Sequence, residues 1–141
     1  MTKQGYMTKH EFMAMSLPYD LQVVNEKGVR KTYAAVHYSY EFEPDFEKFT
    51  PILRPLSDLT KEIEHKGEKF VPIVKLLENS SFDTSKMSEE EIMYFVNGYS
   101  YIDLIALYDL PLYLQWHFDL FGGIESGEAI DVNTLDINPY K

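Results

Sequence analysis

"LQVVNEKGVRKTYAAVHYSYEF", residues 21–42, predicts a β-hairpin and so decides the fold class. "NEKG" at 25–28 separates two runs, 21–24 and 29–42, that are rich in the β-branched and aromatic residues that strands favour. In the second run the even positions from 34 to 42 are apolar and the odd positions are mixed. Such alternation is typical of a half-buried antiparallel strand, with the glycine of "NEKG" closing the loop.

Two segments carry the signature of a helix start. Thr8 and Glu11 predict a capping box, in which the threonine oxygen accepts the third helical amide and the glutamate reaches back to the cap. Ser88 and Glu91 repeat that spacing. We expect the first helix over about 8–16, and the second from 88 to a stop at Asn97-Gly98.

The remaining segments are shorter and alternate between helix and strand signals. The predicted elements are an edge strand in "PILRP" (51–55), a helix over 57–66 stopped by Gly67, a strand in "EKFVP" (68–72), a helix in "PIVKLLE" (72–78), a loop in "NSSFDTSK" (79–86) and a strand in "AIDVN" (129–133). "YSYIDLIALYDLP" (99–111) is apolar and fits helix or strand, with a short helix from about 101 favoured.

"YLQWHFDLFGG", residues 113–123, predicts a buried last helix that starts near Asp109 and stops at Gly122-Gly123. Most of its circumference is apolar, and only Gln115 and Asp119 form a polar stripe. His117 falls on the apolar side, where a histidine is usually structural; a catalytic or ligand role is the alternative. Because the glycines follow a helix, we do not expect their amides to bind a phosphate.

Together these elements predict a small α+β domain, in which short helices pack against an antiparallel sheet and the C-terminal helix is buried. Residues 1–6 lack hydrophobic periodicity and are expected to form a disordered extension. Residues 7–141 are then expected to form a single domain, because a chain of this length can bury one core without disulfides.

The negative charge is concentrated in the C-terminal part of the chain. Residues 1–77 carry 11 acidic and 11 basic side chains, whereas residues 78–141 carry 12 acidic side chains against Lys86 and Lys141. Such a field disfavours direct binding of nucleic acid and suits a protein partner with a basic surface. The candidate contact residues are Glu125, Glu128 and Asp136, near or beyond the end of the last predicted helix. The alternative is that the acidity only keeps the protein soluble.

Several chemistries have no motif in this chain. It has no cysteine, which excludes disulfides, thiolate zinc sites and a cysteine nucleophile. None of the four histidines has a second histidine at metal-ligand spacing, and "DVNTLD" (131–136) fails as a calcium loop at its third ligand position, Leu135. We therefore expect no cofactor, no metal and no catalytic site, although a site made only of carboxylates has no sequence signature. No segment has the length of a signal peptide or a membrane span, so we expect no membrane association.

Three stretches carry a family resemblance: "MTKHEFMAMSLPY" (7–19), "PILRPLSDLTKEIEHKGEKFVPI" (51–73) and "WHFDLFGGIESGEAIDVNTL" (116–135). They resemble a family of small uncharacterised proteins encoded by phages and prophages of gut bacteria, whose usual start corresponds to Met7. The resemblance covers about two-fifths of the chain. It implies a phage setting, hence the cytoplasm of a bacterial host, and no catalytic residue or ligand.

Three classes of function then compete. The first hypothesis is a non-catalytic phage accessory protein that binds a protein partner, because the acidic part and the eleven tyrosines suit a binding surface. The second is a structural or assembly component of a phage particle, for which self-association would be the sign. An enzyme is third. The oligomeric state and the identity of any partner have no signature in the sequence.

Overall fold

The computed structural model of the chain describes residues 7–33, 48–79, 84–86, 88, 90–91 and 110–141. In chain order its main elements are α1 (Lys9–Met15), β1 (Gln22–Val24), β2 (Arg30–Thr32), β3 (Thr50–Leu53), β4 (Ile63–His65), β5 (Glu68–Phe70), α2 (Pro72–Asn79), α3 (Gly123–Ser126) and β6 (Ile130–Asp131). Residues 90–91 and 110–115 are also helical. Short 3₁₀ helices span Leu17–Tyr19, Leu56–Thr60, Thr84–Lys86 and Val132–Thr134.

The chain divides into two compact units. The first unit comprises Met1–Pro55 and Leu114–Pro139, and the second comprises Leu56–Tyr113 and Tyr140–Lys141. The mixture of short helices with mainly antiparallel strands confirms the predicted α+β class. The domain boundaries predicted for 1–6 and 7–141 stay a prediction, because residues 1–6 lie outside the described part.

The first unit contains a four-stranded sheet in the order β2-β1-β3-β6. β1 pairs antiparallel with both β2 and β3, whereas β6 pairs with β3 in parallel. The predicted return of "AIDVN" to the sheet is thus confirmed for Ile130–Asp131. The core of this unit is mainly apolar; its buried aromatic and aliphatic members include Phe12, Met13, Leu21, Val23, Tyr33, Ile52, Leu53, Trp116, Phe118 and Leu120.

The predicted hairpin loop is present. Val24 pairs with Arg30, and the intervening turn has Gly28 at φ 79. The Asn25 side-chain oxygen accepts from the amides of Lys27 and Val29, both at 2.9 Å, and so ties the loop together. Asparagine and glycine therefore supply the two features this turn needs, a local acceptor and a left-handed residue. The rest of the predicted second strand, 34–42, lies outside the described residues.

The prediction that "PILRP" forms an edge strand is wrong, because β3 lies between β1 and β6. A proline is tolerated there because of the register. The backbones of Leu21 and Asn25 are hydrogen-bonded towards β2. Because successive residues of a strand point their backbone groups to opposite sides, Val24 and Thr50 form a hydrogen-bonded pair of β1 and β3, whereas Val23 and Pro51 form a non-hydrogen-bonded pair. Pairing with β6 begins only at Ile52, so the missing amide of Pro51 leaves no gap in either ladder.

Both capping boxes are confirmed. In α1 the Glu11 amide donates to Thr8 Oγ1 at 3.1 Å and the Thr8 amide donates to Glu11 Oε1 at 3.0 Å. The Ser88–Glu91 pair makes the same two bonds, at 3.1 and 3.3 Å. Each box satisfies two amides that a helix start otherwise leaves without partners. The stop predicted at Asn97-Gly98 and the segment 99–109 lie outside the described residues.

The helix predicted over 57–66 is wrong in its second half. A 3₁₀ helix covers Leu56–Thr60, and the chain then forms β4, which pairs antiparallel with β5 in the second unit. Gly67 does not stop a helix: Lys66 and Gly67 have φ 50 and 84, as in a two-residue type I′ hairpin turn. The strand predicted in "EKFVP" is confirmed at Glu68–Phe70, and the helix predicted in "PIVKLLE" at Pro72–Asn79.

The predicted last helix ends early. Residues 110–115 are helical, but Phe118 forms a parallel bridge with Arg54, next to the end of β3. The segment is buried as expected, with Tyr113, Leu114 and Trp116 each less than 5% exposed. Gly122 does not end a helix; with φ 73 it is the residue before α3, which begins at Gly123. A segment that is apolar on every side is compatible with either a buried helix or a buried strand. At Phe118 the pairing with Arg54 favours the extended conformation.

Candidate functional site

Arg54 is a buried residue that holds the segment 116–119 against β3. It is 2% exposed, and its Nε donates to the carbonyl of Trp116 at 3.0 Å. Its backbone amide donates to the His117 carbonyl at 2.8 Å, and the Asp119 amide donates to its carbonyl at 2.9 Å. A charge-assisted bond from a buried guanidinium is stronger than a neutral one, so this contact fixes where the chain leaves the helical segment 110–115.

His117 makes the turn at that point. It is fully buried and has φ 60, a left-handed conformation that a non-glycine residue seldom adopts. Its amide donates to the Leu114 carbonyl at 3.1 Å, a bond typical of a helix C-terminus. Sequence reasoning placed His117 on the apolar side of a continuing helix; burial is confirmed, whereas the helical position is wrong.

Asp119 begins the segment that carries the predicted contact residues. It is 8% exposed, and its two carboxylate oxygens accept from the amides of Gly123 at 2.9 Å and Ile124 at 3.0 Å. The expectation that the glycines do not open a helix is therefore wrong: α3 begins at Gly123, and the amides of Gly123 and Ile124 bind an anion, the carboxylate of Asp119. This interaction fixes the start of α3 without any ligand.

Gly123 is required in this arrangement because the backbone passes close to side chains. A Cβ at this position would overlap the Phe121 ring and lie 2.9 Å from the Ala129 Cβ. After α3 the chain reverses through Gly127, at φ 84, whose amide donates to the Ile124 carbonyl. The start and the end of α3 are thus both determined by packing and by hydrogen bonds within the first unit.

Asp131 organises the segment that follows β6. Its Oδ1 accepts from the Asn133 amide at 2.9 Å, and its carbonyl accepts from Thr134 Oγ1 at 2.7 Å. The carboxylate therefore caps the 3₁₀ helix Val132–Thr134. This local role accounts for the calcium-loop likeness of "DVNTLD".

The three predicted contact residues, Glu125, Glu128 and Asp136, are all exposed. We call them the acidic surface. Glu128 accepts from Ser126 Oγ at 3.0 Å, while the carboxylates of Glu125 and Asp136 make no hydrogen bond or ion pair with the described residues. Since Asp119 and Asp131 satisfy backbone amides, the acidic surface holds the charges of residues 114–139 that remain available to a partner.

Sequence reasoning missed Ile137, which follows directly after Asp136. It is 75% exposed, and it and Val29 are the exposed large apolar side chains of the described part. The sequence offered little signal for this exposure, because Leu135 and Ile137 alternate with polar residues as in a half-buried strand. An exposed apolar residue beside charges is a common composition for the centre of a contact surface.

The histidines do not assemble into a site in the described part. His10 is exposed in α1, and His65 is 5% exposed in β4, where its ring lies 6.4 Å from that of Tyr140. His65 thus lies in a strand and not near the end of the helix predicted over 57–66. His37 lies outside the described residues. Within the described ranges no three His, Asp or Glu side chains are grouped to hold a metal, and no helix there is long and apolar enough to cross a membrane.

No protein-family model, no curated protein and no solved structure matches this chain.

Proposed function

We propose that the protein acts by binding a protein partner through the acidic surface, without catalysing a reaction. The observation that carries this proposal is the exposure of Glu125, Glu128 and Asp136 beside the exposed Ile137, on a segment whose backbone is held at Asp119 and Asp131. A surface that is already ordered loses little conformational entropy on binding. Charges around an apolar residue steer and select a basic partner.

The class of partner follows from the sign of the charge. Residues 123–136 contain four acidic and no basic side chains, so phosphate-rich polymers are repelled and basic protein surfaces attracted. Part of this local acidity has a structural role. Of the four, Asp131 accepts from a backbone amide, which leaves Glu125, Glu128 and Asp136 to be explained by solubility or by binding.

The setting that we propose is the cytoplasm of a bacterial host, where the protein would serve a phage as an accessory factor. The resemblance of residues 7–19, 51–73 and 116–135 to phage and prophage proteins supports this setting, and the absence of cysteine suits a reducing compartment. A structural or assembly role is the second candidate, favoured by the opposite charges of two surfaces in the first unit. An enzyme remains the third.

Affinity capture from host lysate tests the proposal. The test variant carries Glu125→Gln, Glu128→Gln and Asp136→Asn, which remove three charges with little change in shape. The matched control carries Glu26→Gln, Glu62→Gln and Glu90→Gln, which remove three exposed charges elsewhere. Because isolated surface charges contribute little to folding, both variants should keep the wild-type free energy of unfolding to within about 1 kcal/mol.

We expect the test variant to lose most of a partner that wild type and control both retain, as quantified by mass spectrometry. Ile137→Ser should weaken the same capture, because it removes apolar contact area without changing charge. Equal capture of the same proteins by wild type, test variant and control would assign the acidity to solubility and refute the proposal.

A further inference from the structure

Within the described part of the chain, β2 is an outer strand of the sheet in the first unit. Among the described strands it pairs only with β1, and Arg30, Lys31 and Thr32 are all exposed. The Tyr33 amide donates to the Leu21 carbonyl, and the Asn25 amide donates to the Val29 carbonyl. These two bonds show which residues of β1 and β2 are hydrogen-bonded pairs. By alternation, the backbone amides and carbonyls of Arg30 and Thr32 then point away from β1. A sheet edge with outward backbone groups is a template for another strand.

The same edge carries exposed positive charge. The side chains of Lys27, Arg30 and Lys31 are exposed, and none forms an ion pair with a described residue. Val29, which is 50% exposed, lies among them. We call Lys27 together with Val29–Lys31 the basic edge. Its charges favour a partner strand with acidic side chains, and Val29 favours an apolar side chain on that partner.

The opposite edge of the same sheet has the complementary composition. β6 is the other outer strand of the described sheet, and it lies between Glu128 and Asp136 in the chain. The acidic surface and the exposed Ile137 are on the segments that flank it. One unit thus presents a basic edge with an exposed valine and an acidic edge with an exposed isoleucine.

We propose that copies of this chain associate head to tail, with the basic edge of one copy against the β6 edge and acidic surface of the next. This inference rests on the proposed binding role of the acidic surface and names its partner as a second copy, which is the self-association expected of a structural or assembly component. Pairing of two basic edges would place three cations against three cations, and pairing of two acidic edges would oppose carboxylates in the same way. Opposite edges are the combination in which the charges attract.

The geometry of such a contact has a consequence for assembly size. In a head-to-tail contact each bound pair still has one free basic edge and one free acidic edge. Such an interface continues into a ring if the rotation closes and into an open filament if it does not. A symmetric dimer is therefore not expected, and the mass of the assembly should rise with protein concentration until any ring closes.

Sedimentation or light scattering of the purified full chain measures this association. We expect wild-type mass to increase with concentration at low salt and to fall towards the monomer at about 1 M salt, where the screening length is about 3 Å. A basic-edge variant, Lys27→Gln, Arg30→Gln and Lys31→Gln, should raise the dissociation constant by about tenfold or more. The matched control, Lys61→Gln, Lys69→Gln and Lys141→Gln, neutralises exposed cations of the second unit and should associate as wild type does.

Mixing distinguishes this contact from any other mode of self-association. The basic-edge variant keeps an intact acidic surface, and the variant Glu125→Gln, Glu128→Gln, Asp136→Asn keeps an intact basic edge. Each should be monomeric alone, and together they should form a one-to-one complex that stops at two chains, because its outer edges are both neutralised. Wild type under the same conditions should grow beyond two.

Monomeric wild type at every concentration in low salt would overturn the inference, as would association that the basic-edge substitutions leave unchanged. Loss of a lysate partner by the acidic-surface variant, with a monomeric wild type, would uphold the proposed function while refuting self-association. Capture of a foreign acidic protein by the basic edge of a monomeric chain would likewise refute the second copy as occupant. Unchanged capture and no self-association together would refute both proposals.

Discussion

At the scale of single residues, the buried polar side chains of the first unit determine where the chain turns. Arg54 bonds the Trp116 carbonyl, and His117 takes a left-handed conformation directly after it. Neither role has a sequence signature, because a histidine within an apolar run fits a helix equally well. What was predictable was the burial of His117, which follows from the apolar pattern alone.

Paired substitutions at His117 test the turn. His117→Gly and His117→Ala both remove the ring and differ in backbone preference. At φ 60 glycine is unstrained whereas alanine is disfavoured, so we expect the glycine variant to be more stable by about 1 kcal/mol. Urea unfolding measures the difference. A helix continuing to residue 121 would reverse the order, because alanine is then favoured by about 1 kcal/mol.

At the scale of secondary structure, elements defined by neighbouring residues were predicted well. Both capping boxes rest on residues three apart, and the "NEKG" loop rests on Asn25 and Gly28. The failures involve tertiary pairing. The segment 57–66 has helical spacing at Leu59 and Ile63, yet β4 forms there because it pairs with β5 through a turn at Lys66-Gly67. A type I′ turn usually has asparagine, aspartate or glycine before its glycine, so the lysine at position 66 did not indicate this turn in the sequence.

The hydrogen bond that caps α1 at Thr8 is expected to contribute measurably to stability. Thr8→Ala removes the acceptor of the Glu11 amide and should lower the free energy of unfolding by about 1 kcal/mol. Thr8→Ser retains the oxygen and serves as the control, with a smaller loss. Deletion of residues 1–6, predicted from sequence to be a disordered extension, should leave stability unchanged. Equal losses from the deletion and from Thr8→Ala would place the start of the fold before Met7.

Gly123 at the start of α3 and Gly127 directly after it differ in why a side chain is disfavoured: the first by steric overlap, the second by backbone conformation. At Gly123 an added Cβ overlaps the Phe121 ring, so Gly123→Ala should cost about 1–3 kcal/mol through overpacking. At Gly127 a Cβ meets no atom within 4 Å, and only φ 84 opposes it, so Gly127→Ala should cost about 1 kcal/mol. Thermal or urea unfolding of both variants checks the order. A larger loss at Gly127 would contradict the packing around α3.

At the scale of the whole molecule, charge is the property that sequence predicted most directly. The surplus of acidic residues after 77 is read from composition, and Glu125, Glu128 and Asp136 are exposed as the hypothesis requires. Composition could not distinguish these three exposed carboxylates from those of Asp119 and Asp131, which accept hydrogen bonds from backbone amides. It also could not indicate Ile137 or the basic edge, because exposure and strand order depend on how distant segments pair.

The salt dependence of partner capture tests the central claim, that the acidic surface binds a basic protein surface. The screening length falls from about 30 Å at 0.01 M salt to about 8 Å at 0.15 M. Wild-type capture should therefore fall steeply over this range, whereas the variant with Glu125→Gln, Glu128→Gln and Asp136→Asn should capture little at either salt. Capture that is equal for the two proteins, or that does not change with salt in wild type, would contradict the account.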